Sequence, residues 1–199
     1  METWEDIYDF CKNAWKGGLP ETICGSGSTI KNSLIIIKTL NKIINNYNIK
    51  SIADIGCGDF NWMRYVYLNG TRYIGYDWLI DTIANTYKSE SIKFIKGNVA
   101  IIPIQKVDLI ICKDVMIHMN NDHALEILNN IRKSRPGYLF ITTYDIDSNM
   151  TRTAIKNFFY TNSNYMPLNI ELEPFNITGA LCKIKLDGNK YFNLYKLND

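Results

Sequence analysis

An excess of charge of either sign is missing from this chain. It holds 22 Lys and Arg against 20 Asp and Glu, a formal net charge of +2. A dedicated nucleic-acid binder concentrates basic residues on one face. Here they are scattered. The densest run, Ile131-Arg-Lys-Ser-Arg135, closes a predicted helix, where the helix dipole favours cations. Long apolar runs are missing too. Leu34-Ile-Ile-Ile37 is hemmed in by Lys31, Lys38 and Lys42, too short a stretch to cross a bilayer. A secretory leader is not expected, because Met-Glu-Thr-Trp-Glu-Asp is acidic where a leader is basic. The cysteines, at 11, 24, 57, 112 and 182, are odd in number and form no C-x-x-C pair. That excludes a disulfide framework and suits reduced thiols in a cytoplasmic protein. Asn-x-Thr sites at Asn69, Asn149 and Asn176 are then chance. The abundance of Ile, Asn and Lys reads as genome bias, as in an intracellular parasite or a large virus; a viral protein would lie in the host cytoplasm. At 199 residues one domain with a substantial core is expected.

What is present begins with Ser51-Ile-Ala-Asp-Ile-Gly-Cys-Gly-Asp59. A short strand carries an acid and runs into two glycines one residue apart. Gly56 and Gly58, with Cys57 between them, let the backbone turn sharply and approach a ligand. Dinucleotide sites read G-x-G-x-x-G and bind a pyrophosphate. Here Asn61 holds the third glycine position and the ligand faces an acid, Asp54. A carboxylate repels pyrophosphate and attracts an ammonium or sulfonium. S-adenosylmethionine carries both.

Nineteen residues after Gly58 comes Asp77, closing a second strand where an acid accepts hydrogen bonds from both ribose hydroxyls. Trp78 is placed to lie against the adenine face. A third strand, 92–96, leads to Asn98 and Val99, whose amide and backbone suit the adenine edge. A fourth, 107–112, is followed by Lys113 and Asp114. Strands alternate with helices throughout: strand 51–55, helix 60–69, strand 73–76, helix 79–88, strand 92–96, strand 107–112, helix 121–133, strand 138–144, helix 151–160. This predicts a parallel sheet covered on both faces. Before it stand a helix over 3–16, opened by Thr3 and Asp6 as a capping box, and a second from Thr29 to about Tyr47. After it, Leu181–Leu186, Asp187-Gly188 and Lys190–Leu197 predict a hairpin.

Asp54-Ile-Gly-Cys-Gly resembles motif I of the class I S-adenosylmethionine-dependent methyltransferases, with Phe60 in place of the last glycine. The resemblance extends to Cys24-Gly-Ser-Gly-Ser-Thr29, Asp54–Trp62, Cys112–His118 and Pro167–Phe175. These look like a small family of such enzymes often found beside glycosyltransferases. It implies a Rossmann-like α/β fold with a seven-stranded, mostly parallel sheet in the order 3-2-1-4-5-7-6 and helices on both faces. Residues 1–48 would form an N-terminal helical cover and 49–199 the core. The implied cofactor site is Asp54, Gly56, Cys57, Gly58, Asp77, Trp78, Asn98, Val99 and Lys113. The implied acceptor is a small polar molecule, a sugar hydroxyl above all, with neither nucleic acid nor membrane as partner.

Methyl transfer from a sulfonium needs alignment, exclusion of water and, for a hydroxyl, a proton acceptor. His118, one of two histidines, follows strand 4 and suits a general base, oriented by Asp114; equally, it could support the cofactor pocket. His123 reads as a surface residue. Asp145 is the second candidate base. Asp114, Asp145 and Asp147 resemble the carboxylates that hold magnesium in catechol-type O-methyltransferases, though acids in this place also cap turns. Gly25–Thr29 could cradle a phosphate or simply cap a helix; it lacks the Lys of a P-loop. Trp62 and Tyr65 read as packing residues. Asn149, Tyr144 and Tyr165 are candidate acceptor contacts beside the wall 167–175. Two other readings stand beside these: methylation of a protein or nucleic-acid base, though no Asn-Pro-Pro-Tyr motif follows strand 4, and a cofactor-fold binding protein without catalysis.

Overall fold

A computed structural model of the protein describes residues 20–78, 80, 86–149 and 166–197. The helices expected over 3–16, 79–88 and 151–160 lie wholly or mostly outside these residues, as does Tyr165. Seven strands form one sheet: β1 (Ser51–Ile55), β2 (Arg72–Asp77), β3 (Ile92–Lys96), β4 (Leu109–Cys112), β5 (Tyr138–Tyr144), β6 (Ala180–Asp187) and β7 (Lys190–Lys196). Their order is β3-β2-β1-β4-β5-β7-β6. The pairs β1–β2, β1–β4, β2–β3 and β4–β5 are parallel; β7 runs antiparallel to both β5 and β6. The expected order and closing hairpin are both present.

The central strands are apolar on both faces, and their two periods feed two cores. Ile52, Leu109, Ile111, Phe140 and Phe192 point to one side and meet Ile36, Ile37, Leu40, Ile43 and Ile44 of α1 (Ile30–Asn46). Ala53, Ile55, Ile110, Leu139 and Ile141 point to the other and meet Ala124, Ile127, Leu128 and Ile131 of α2 (Asn121–Lys133). Such double burial is why parallel strands read as continuous apolar runs. Each helix begins where a side chain can serve its free amides: Thr29 accepts from Asn32 N, and Asn120 from His123 N. His123 is buried, not at the surface, because this cap turns the first residues of α2 inward.

The helix expected over 60–69 is a correction. Only a short 3-10 turn forms there, Met63–Tyr65. Phe60 has φ 59° and Asn69 φ 49°, both left-handed. The Tyr67 amide, which a helix would spend within itself, donates to Asn41 Oδ1 of α1 at 2.8 Å. The segment works as an apolar plug instead: Phe60, Trp62, Met63 and Val66 are buried while Tyr65 is exposed. Among the described residues no helix is long and apolar enough to cross a membrane.

Ile127 is fully buried between α2 and the sheet, so Ile127→Ala should cost about 2–5 kcal/mol. Tyr65→Ala should stay within about 0.5 kcal/mol. Urea unfolding of the two variants checks the contrast.

Candidate functional site

Strand β1 ends at Ile55 and the chain turns at once. Gly56 and Gly58 take φ of 72° and 57°, where a side chain is strained. Space is closed as well, by Val115 over Gly56 and Cys24 over Gly58. Three consecutive amides of this turn point at the end of β2. Gly56 and Cys57 donate to the Tyr76 carbonyl at 2.8 and 3.2 Å. Gly58 donates to Asp77 Oδ2 at 2.9 Å. The two acids of the expected cofactor site thus lie on neighbouring strands, one beneath the turn and one beside it. Cys57 is buried and packs against Gly75. Trp78 follows Asp77 at the same edge.

Asp54 is 2% exposed and accepts a 2.7 Å hydrogen bond from Tyr73 Oη. Burial pushes its carboxyl up to about 7, with the negative charge of Asp77 adding to the rise against the pull of Tyr73 and Lys113. It is a buried acid held well above the usual carboxylate range. In the loop after β3, Asn98 Oδ1 accepts from Ala100 N at 2.9 Å. The Val99 carbonyl accepts from Asn130 Nδ2 of α2 at 2.7 Å. That buried clasp has no signature in the sequence.

The segment before α1 lies across the turn. Thr22 Oγ1 and Ile23 N donate to Asp59 Oδ2 at 2.7 and 2.9 Å, and Asp59 N to Cys24 Sγ at 3.3 Å. Burial first, then Asp59, pushes the Cys24 thiol up to about 12, so it is no thiolate nucleophile. Two amides of the Gly25–Thr29 loop, those of Ser28 and Thr29, close its own turn. Its carbonyls face outward to donors: Gly27 O to Lys113 Nζ at 2.8 Å and Ser28 O to Asn61 Nδ2 at 3.0 Å.

Lys113 therefore anchors this cover, with its Nζ shared between Gly27 O and Asp114 Oδ2 at 2.8 Å each. Asp114, at φ 57°, is ringed by cations. Lys190 Nζ lies 2.7 Å from Oδ1, and Thr142 Oγ1 donates to the same oxygen at 3.0 Å. Burial opposes ionisation here, yet the two lysines outweigh it and hold the carboxyl well below the usual carboxylate range. Oδ2 faces Lys113 while Oδ1 faces Lys190 and Thr142. The carboxylate is a weak proton acceptor for the same reason. Lys190 stands in no motif, because its partner lies across the sheet and only the antiparallel return of β7 brings it there.

His118 closes a 3-10 turn, Met116–His118, directly after β4, half-buried at the carboxyl edge. Asp145 is exposed at the end of β5, where its amide donates to Asn189 O at 2.8 Å. No group of three potential metal-binding side chains occurs among the described residues, and Asp114 is already neutralised by lysines. The donor set does not fit magnesium. Asn149 is not an acceptor contact: its amide clasps Asn169 O, Glu173 O and Asn169 N at 2.7–2.8 Å, fixing the 167–175 wall. Tyr144 is buried in the core.

A sheet of order 3-2-1-4-5-7-6 with a glycine turn after β1 and an acid after β2 has clear counterparts. The fold is that of the class I methyltransferases. The N-methyltransferase NodS from Bradyrhizobium japonicum, solved with S-adenosylhomocysteine, matches with a TM-score of 0.69 at 10% identity, over 97% of this chain and 99% of NodS. Magnesium protoporphyrin IX methyltransferase from Synechocystis, also with S-adenosylhomocysteine, gives 0.62 at 10% identity over 96% and 94%. An O-methyltransferase family protein from Burkholderia thailandensis gives 0.56 at 12% identity, over 84% of this chain but only 56% of that one. No protein-family model matches the sequence, and no curated protein does.

Within this class I fold Asp54 and Asp114 shape stability in opposite directions. Asp54 binds its proton more tightly folded than unfolded, so its contribution is full below about pH 4 and is lost as pH rises towards 7. Each pH step of one across that window removes roughly 1.4 kcal/mol. Asp114 is held low, so its contribution is present above about pH 4 and is lost as pH falls further. Denaturant unfolding from pH 3 to 8 should show Asp54→Asn flattening the limb between 4 and 7, and Asp114→Asn flattening the acid limb.

Proposed function

We propose that this protein is an S-adenosylmethionine-dependent methyltransferase acting on a small polar acceptor, most specifically a sugar hydroxyl. The observation that carries the reading is the turn at Gly56–Gly58, whose last amide holds Asp77 against it at the carboxyl end of β2. Ligands of open α/β sheets bind at that edge. The donor set fits the cofactor. Asp77 would take the ribose hydroxyls, Asn98 and the Val99 backbone the adenine edge, Trp78 its face, and Asp54 would answer the positive end from beneath the turn. The cofactor supplies a methyl group already activated for displacement.

The chain's own residues then do three things. The cover at 21–29, tied by Lys113 and Asn61, excludes water. Asp54 would face the cofactor's cationic end from beneath the turn, where a nearby positive charge favours its carboxylate form. A base at the ends of β4 and β5 takes the acceptor's proton. His118 is the first candidate, since an imidazole accepts a proton near neutrality; Asp145 is the second. The sugar acceptor and O-methylation rest on the motif resemblance, as the structural counterparts include N-methyltransferases.

Thermal unfolding with S-adenosylhomocysteine at about 100 times its dissociation constant should stabilise the protein by about 2.7 kcal/mol. Asp77→Ala should lose most of that gain. No shift in the wild type would favour a binding protein without catalysis. With labelled S-adenosylmethionine and a panel of nucleotide sugars, His118→Ala should cut methyl transfer by about 10²-fold or more while leaving the shift intact. An unchanged rate would pass the base role to Asp145.

A further inference from the structure

At the ends of β4, β5 and β7 two lysines share one ion-paired carboxylate, that of Asp114. Lys113 already pairs with Asp114 Oδ2 at 2.8 Å and is further held by Gly27 O. Lys190 adds a second ammonium on Oδ1 at 2.7 Å. Their side chains are only 5% and 20% exposed, and that of Asp114 18%. Thr142, which donates to Asp114 Oδ1, is neutral, and the other acid that acts on Lys113 is Asp54 beneath the turn. Among the described residues neither lysine makes a second ion pair. Asp145 follows Tyr144, the β5 partner of Lys190, and Asp187 is the lysine's β6 partner; among the described residues neither forms an ion pair with it. Two ammonium groups largely out of water that share one carboxylate favour a further anion.

The geometry also says where that anion sits. Lys113 has its back to the cover loop. Lys190 is the first residue of β7, beside the carboxyl end of β5. Among the described residues its ammonium is engaged by Asp114 alone, leaving two of its three N–H bonds for something else. We infer that Lys190 is the anchor for an oxyanion, a phosphate or carboxylate carried by the acceptor, held at the β4–β5–β7 end of the site. Asp114 keeps the lysine aimed; Lys190 supplies the charge that selects. This rests on the reading of a methyltransferase site and deepens it by naming the acceptor class as anionic.

Thermal unfolding tells the anchor apart from the methyltransferase reading. It is followed in inorganic phosphate and in acetate against chloride at equal ionic strength, for the wild type, Lys190→Met and Lys190→Arg, with and without S-adenosylhomocysteine. Lys190→Met leaves Asp114 in a balanced pair with Lys113, so it should fold, and circular dichroism verifies this. Phosphate or acetate should raise the wild-type midpoint above chloride. The apparent affinity should fall at least about fivefold in Lys190→Met, as loss of a charged hydrogen-bond donor implies, and be largely restored in Lys190→Arg. The S-adenosylhomocysteine shift should persist in all three. Equal anion effects in wild type and Lys190→Met, or none beyond chloride, would overturn the anchor. Absence of the S-adenosylhomocysteine shift from the wild type, with the anion effect retained, would sink the methyltransferase reading while leaving an anion site.

Discussion

Everything at this site hangs on three successive amides pointed the same way. As β1 ends, Gly56, Cys57 and Gly58 turn their N–H groups onto the last residues of β2. A strand end leaves backbone donors without ladder partners, and buried donors must be paired. Pairing them with the neighbouring strand folds the turn flat over the sheet edge. It also puts the Asp77 carboxylate next to a bare stretch of backbone. The rest follows from packing around that flat turn. Val115 fills the space over the first glycine and Cys24 the space over the second. The loop after β4 and the segment before α1 therefore meet there, and Lys113 ties them.

Electrostatics divides the edge into two regions. Under the turn, Asp54 is buried against Tyr73, and burial pushes its carboxyl up to about 7 with Asp77 adding to the rise and Lys113 opposing it. At the other end Asp114 is ionised throughout the working range by two lysines. Two aspartates at the ends of adjacent parallel strands thus behave oppositely. The first is an acid held up by burial; the second is an anion held by two cations.

Much of this could be read from residues alone. The strands β1 to β5 are short apolar runs bounded by turn residues, and the glycine turn and Asp77 stand at fixed offsets in a motif. The hairpin was legible from Asp187-Gly188. What could not be read depends on contacts distant in sequence. Phe60 enters the left-handed region, and Asn41 takes the Tyr67 amide, so a segment with helical composition becomes a plug. Asn149 looks like a free polar group but is spent on the backbone of 169 and 173. Lys190 carries no motif; its meaning comes from lying opposite Asp114 once β7 has turned back.

That return of β7 has a consequence for biosynthesis. A ribosome emits β1 to β5 in the order that builds the parallel sheet, and domains begin to fold as they emerge. Until residues 190–196 follow, β5 presents an unpaired edge and Asp114 has one lysine instead of two. An exposed flat edge invites pairing with other chains. The strand that shields this edge is also the one that completes the charge cluster. A nascent chain therefore covers its β5 edge and completes its charge cluster in a single late event.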